Sequence, residues 1–103
     1  MYKPLPESLT IKQSGIDGLG LFADQKIMHG TNLGITHLKI GDTIFRTPLG
    51  GFINHSNTPN CLKVELRMTA ETLLLDKKWN LVALRDIKEG EELTVRYTFY
   101  DVS

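Results

Sequence analysis

From Leu62 to Arg67 apolar and charged residues alternate without a break, Leu-Lys-Val-Glu-Leu-Arg. That period of two marks a half-buried strand, with Leu62, Val64 and Leu66 on one face and Lys63, Glu65 and Arg67 on the other. The same alternation appears at Leu9-Thr10-Ile11-Lys12. A glycine-punctuated turn over Ser14 to Gly20 and a second apolar burst at Leu21-Phe22-Ala23 follow, predicting two short strands with a tight loop between them. A β-leaning run from Thr31 to Leu38 is interrupted by Gly34 and ended by Gly41-Asp42, and Pro48 is placed to open a single helical turn. Glu71 to Asp76 and Trp79 to Leu84 predict two more strands joined by Lys77-Lys78, making a three-stranded meander with the strand after Cys61. Asp86 to Gly90 reads as a turn, and Glu92 to Val95 as a last short strand. No stretch sustains ten residues of helical period, and no internal repeat is evident. The class is all-β, built of small sheets tied by glycine-rich turns.

Composition narrows the partners more than the fold. With 103 residues the chain suffices for one domain that buries roughly two-thirds of its unfolded surface. Twelve basic and twelve acidic residues give a formal net charge of zero, which argues against a nucleic-acid footprint and against adhesion to anionic membranes. The opening Met1 to Pro6 is a proline-stiffened arm rather than a signal peptide, and no window approaches a membrane span. A soluble intracellular protein is expected, cytoplasmic with the nucleus left open. Cys61 is the only cysteine, so no intramolecular disulfide forms. With His29, His37 and His55 it offers no paired ligand spacing, and no metal site is expected.

Three stretches carry candidate chemistry. Gly51 to Cys61 runs from an apolar pair into small polar residues, with Pro59 fixing one φ and Asn60 suited to αL. Its Asn54-His55 pair is by default a local hydrogen-bond device. Gly18-Leu19-Gly20 is by default a turn needing positive φ, and otherwise a loop whose bare backbone approaches a ligand. Tyr97 near the chain end is by default amphipathic packing. Glu91 and Glu92 are adjacent on a strand and face opposite sides, so they read as a turn acid and a structural acceptor rather than as a catalytic pair.

In that order, Gly18-Leu19-Gly20-Leu21-Phe22-Ala23, Asn54-His55-Ser56 with Pro59-Asn60-Cys61, and Gly90-Glu91-Glu92-Leu93-Thr94-Val95-Arg96-Tyr97 resemble the SET-domain family, mostly protein-lysine methyltransferases. The resemblance spans roughly residues 8 to 100 and implies a β-clip of several small sheets with a threaded C-terminal segment. One domain over 1–103 is expected, with an N-terminal arm at 1–7, a short insert at 31–50 as substrate edge, and a minimal C-terminal segment at 96–103. It implies S-adenosylmethionine as methyl donor, bound by Gly18, Leu19, Gly20, Asn54, His55 and Tyr97. Asn54 would hold the amino-acid part by its side-chain amide, and His55 would meet the adenine edge through its backbone. Tyr97 would be the catalytic residue, aligning a substrate lysine. Val95, Phe99 and Tyr100 would line the lysine channel, the small Val95 leaving room for more than one methyl group. A peptide would pair with a strand edge near His37 to Ile44.

The chain departs from the family in having Gly51 where many members carry arginine and Asn57 where cysteine is common. It also lacks the cysteine clusters flanking the core, as in compact viral and bacterial members. A second copy, in a homodimer, is a candidate for completing the channel. Two other readings stand beside the transferase: a SET-fold peptide-binding module without catalysis, and a nucleic-acid-binding β-domain, which the charge balance disfavours.

Overall fold

The computed structural model describes residues 5–67 and 77–97. Among the described residues, eight strands and one helical turn follow in chain order: β1 Leu9–Gln13, β2 Leu19–Ala23, β3 Asn32–Ile40, β4 Thr43–Arg46, α1 Pro48–Gly51, β5 Asn54–His55, β6 Cys61–Arg67, β7 Lys77–Ala83 and β8 Glu92–Val95. They form two four-stranded sheets, β1-β2-β8-β5 and β4-β3-β7-β6. α1 is the expected single turn. Pro48 opens it, and Thr47 caps it by accepting from Gly50 N–H. No helix among the described residues is long and apolar enough to cross a membrane.

The topology follows from a repeat that the sequence reading missed. Leu21-x-Ala23-x3-Ile27-x2-Gly30-x2-Leu33 recurs sixty positions later as Leu81-x-Ala83-x3-Ile87-x2-Gly90-x2-Leu93. Both copies run strand, turn, isolated bridge, turn, strand, with the same alternation of burial. Their backbones interlock about a local two-fold. Ile27 and Ile87 exchange N–H···O bonds of 2.9 and 2.8 Å, Gly30 N–H donates to Ala83 O, and Gly90 N–H donates to Ala23 O. Gly30 and Gly90 take φ of +84° and +86°, a turn that a side chain would strain. Each hairpin therefore sends its third strand to the other's sheet: β3, following β2, pairs with β7, and β8, following β7, pairs with β2. Only five apolar or glycine positions are shared, too few to stand out in composition.

The core lies between the sheets, where Leu21, Ile27, Leu81, Ile87, Leu93 and Val95 are almost wholly buried. Three expectations are corrected. Lys77-Lys78 is not a joint: both residues belong to β7 and pair with Arg67 and Leu66. β7 pairs directly with β6 on one side and with β3 on the other, and the strand expected at 71–76 lies outside the described residues. The apolar face of β6 is not core. Leu62 and Leu66 on it are 50% and 40% exposed, while buried Cys61 points to the opposite face. Within the expected His37 to Ile44 stretch, β3 is flanked by β4 and β7 and His37 is buried, so only its β4 part lies at a sheet edge.

Candidate active site

β5 is only two residues long and lies parallel to β8, with Asn54 beside Thr94 and His55 beside Val95. Ser56 N–H extends the pairing by donating to Val95 O at 2.9 Å. Because β8 also pairs with β2, this one strand brings the first glycine loop, the Asn-His pair and Tyr97 to one end of the sheet.

Asn54 ties that end together. Its Nδ2 lies 2.9 Å from Glu92 Oε2, 3.1 Å from both Ser14 Oγ and Asp17 O, and 3.2 Å from Leu19 O. Two carbonyls and a carboxylate can only accept, so the amide NH₂ faces the loop and Oδ1 is the polar atom that remains for a ligand. Ser14 Oγ donates to the Glu92 carboxylate at 2.8 Å and accepts from Ile16 and Asp17 N–H, closing the loop from within. Gly18 turns there with φ +45°, and a Cβ on it would meet nothing within 4 Å. Gly20 has no such room, because a Cβ would run into Glu92 Oε2 and come within 3.1 Å of Asn54 Nδ2. Leu19 between them is 51% exposed.

His55 and Tyr97 pack against each other next to Asn54. Tyr97 N–H donates to His55 Nδ1 at 2.7 Å, which makes Nδ1 an acceptor and puts the proton on Nε2, 3.1 Å from Asn57 Oδ1. The rings lie 5.2 Å apart, tilted by 51°. The Tyr97 hydroxyl donates to Ile53 O at 2.6 Å, so it is anchored directly beside Asn54. Val95 sits in the core at 1% exposure. Phe99 and Tyr100 lie outside the described residues. The structure thus gathers Gly18, Leu19, Gly20, Asn54, His55 and Tyr97 in one place.

Ser14 was missed by the sequence reading, since nothing marks it as the partner of a carboxylate 78 positions away. Glu92 is the structural acceptor expected. Glu91 serves the neighbouring turn: its carboxylate takes bonds from Arg85, Lys88 N–H and Asn60. The Arg85 hydrogen bond, helped by those from Lys88 and Asn60, outweighs burial and holds it at about 2. Asn60 adopts no left-handed backbone. It is buried instead, its amide reading the β8 backbone through Glu92 O and Thr94 N–H, both at 2.8 Å. Cys61 is buried, and burial pushes its thiol up to about 12. No three His, Cys, Asp or Glu among the described residues cluster so as to hold a metal.

The SET domain profile matches residues 39–98, more than half of the chain, and the chain belongs to the SET domain family. Histone-lysine N-methyltransferases specific for H3 lysine 4 from Emericella nidulans and Aspergillus oryzae are each 43% identical to it over 60 residues. That match covers 56% of this chain and 4% of each relative's length. Among solved structures, a Plasmodium falciparum protein described as a histone methyltransferase superposes with a TM-score of 0.73 at 18% identity, over 92% of this chain and 96% of that one. The Chaetomium thermophilum Polycomb Repressive Complex 2 bound to S-adenosylmethionine gives 0.72 at 18% identity, over 93% of this chain and 16% of that one. The all-β architecture is therefore the SET β-clip.

Proposed function

We propose that this chain is a protein-lysine N-methyltransferase that uses S-adenosylmethionine. The observation that carries the reading is the double anchoring of Tyr97, by its hydroxyl to Ile53 O and by its N–H to His55 Nδ1, beside Asn54, which secures the Gly18–Gly20 loop. When bound, S-adenosylmethionine supplies an electrophilic methyl group on a positively charged sulfur. The residues present fit such a donor. Asn54 Oδ1 is an acceptor for its ammonium group, and the bare backbone at Gly18 has open space beside it where a side chain would stand.

A lysine amine must shed its proton before it can attack, which at neutral pH costs about 4–5 kcal/mol for an ordinary pKa near 10.4. Apolar surroundings and a neighbouring positive charge both reduce that cost. Tyr97 need not take the proton. With its own hydroxyl hydrogen given to Ile53 O, its oxygen faces an incoming amine as an acceptor and orients the nitrogen lone pair.

Calorimetry with S-adenosylhomocysteine, paired with transfer of labelled methyl groups to histone H3 and to lysate proteins, tests the reading. Wild type and Tyr97→Phe are expected to bind the product within a few-fold of each other. Transfer in the variant should fall about a hundredfold, the scale of removing one positioned polar group. Absence of binding at saturating ligand rejects the proposal.

A further inference from the structure

Glu91 and Glu92 are neighbours in the chain but differ in how their charge is balanced. The Glu91 carboxylate is paired with Arg85. The Glu92 carboxylate, half-buried on β8, is held by neutral groups: Ser14 Oγ lies 2.8 Å from both of its oxygens, and Asn54 Nδ2 lies 2.9 Å from Oε2. Among the described residues no lysine, arginine or histidine pairs with it. Lys12, opposite Gly20 on β1, is exposed and forms no ion pair. Hydrogen bonds from Ser14 and Asn54 fix the carboxylate in place, but only a positive charge would balance it.

This unbalanced charge stands at the candidate site. A Cβ on Gly20 would run into Glu92 Oε2, so the carboxylate lies directly against the glycine loop. In the Asn54 amide, Oδ1 stands about 2.3 Å from Nδ2 by covalent geometry. A cation hydrogen-bonded to Oδ1 is therefore within about 8 Å of Glu92 Oε2. Asp17 in the same loop is exposed, where water and salt weaken its charge.

We propose that Glu92 is a specificity residue whose charge tilts the site toward S-adenosylmethionine and against S-adenosylhomocysteine, an inference that rests on the transferase reading. The two ligands share their ammonium, carboxylate and adenosine groups. They differ by one methyl group and one positive charge, a sulfonium in the donor against a neutral thioether in the product. A short carbon chain joins the sulfur to the ammonium, which keeps the sulfonium in reach of Glu92. At about 10 Å and an effective dielectric constant of about 20 to 40, the carboxylate favours the charged ligand roughly fivefold to fifteenfold. That preference is lost once the methyl group has gone, which helps the spent ligand to leave.

Calorimetry of the full chain with each ligand in turn, without an acceptor protein, reads the ratio of the two dissociation constants. Glu92→Gln keeps the shape and an acceptor for Ser14 but not the charge, and should shift the ratio about fivefold to fifteenfold toward S-adenosylhomocysteine. Ser14→Ala removes a hydrogen bond and leaves the charge. It should weaken both ligands alike, with the wild-type ratio kept. Raising sodium chloride from about 0.02 to about 0.5 M should move the wild-type ratio in the same direction as Glu92→Gln. A ratio unmoved by Glu92→Gln, or unmoved by salt should that variant not fold, overturns the inference and leaves the transferase reading standing. An equal shift in Ser14→Ala assigns the effect to shape and overturns it as well. A wild-type chain that binds neither ligand rejects the reading and the inference together.

Discussion

Gly50 and Gly20 both exclude a side chain, yet the consequences of adding one differ. A Cβ at Gly50 would stand 2.5 Å from the Thr36 carbonyl oxygen and 3.0 Å from the buried His37 ring. Neither can withdraw, so Gly50→Ala is expected to lower stability by about 1–3 kcal/mol, read as an earlier urea midpoint. At Gly20 the obstruction is the end of the Glu92 side chain, which can rotate away. Doing so takes its carboxylate from Ser14 and Asn54. Gly20→Ala should therefore melt close to wild type but bind S-adenosylhomocysteine more weakly by calorimetry, separating a site defect from a folding defect.

At the scale of elements, β8 depends on a side chain as much as on its neighbouring strands. It lies between β2 and the two-residue β5, and Asn60 supplies a strand's worth of pairing from its amide alone. Asn60→Ala would leave the buried Thr94 N–H and Glu92 C=O without those partners, a loss of about 2–4 kcal/mol for two orphaned groups. Hydrogen exchange should then rise first at Thr94, the amide that loses its acceptor. The repeat about Ile27 and Ile87 explains why β8 has this position at all, since each hairpin's third strand is handed to the other sheet.

For the whole molecule, two groups bound the pH range of full stability. Glu91 is held at about 2 against an ordinary 4.5. A depressed carboxylate contributes above its unfolded pKa and loses that contribution as pH falls from about 4.5 toward 2. Arg85 is largely exposed, so the acid loss should be modest and should shrink in Arg85→Ala, with the Lys88 and Asn60 bonds keeping the remainder. Cys61 is raised to about 12 against 9.0. A raised pKa leaves stability intact below 9 and erodes it as pH climbs from 9 through 12, by roughly 1 kcal/mol at pH 10. Thermal melts from pH 3 to 11 should trace a plateau between these limbs, and Cys61→Ala should flatten the alkaline one.

Strand-length alternation, glycine turns and the Pro48 turn were legible in the chain, because each depends on a few consecutive residues and their backbone preferences. The motif order carried Asn54, His55, Tyr97 and the glycine loop as well. What the sequence could not determine was which strands become neighbours. Whether Leu62 faces core or water, whether His37 sits on an edge or beneath one, and whether Ser14 meets Glu92 depend on contacts between residues tens of positions apart. Local periodicity is blind to those contacts, and only the exchange of β3 and β8 between the two sheets decides them.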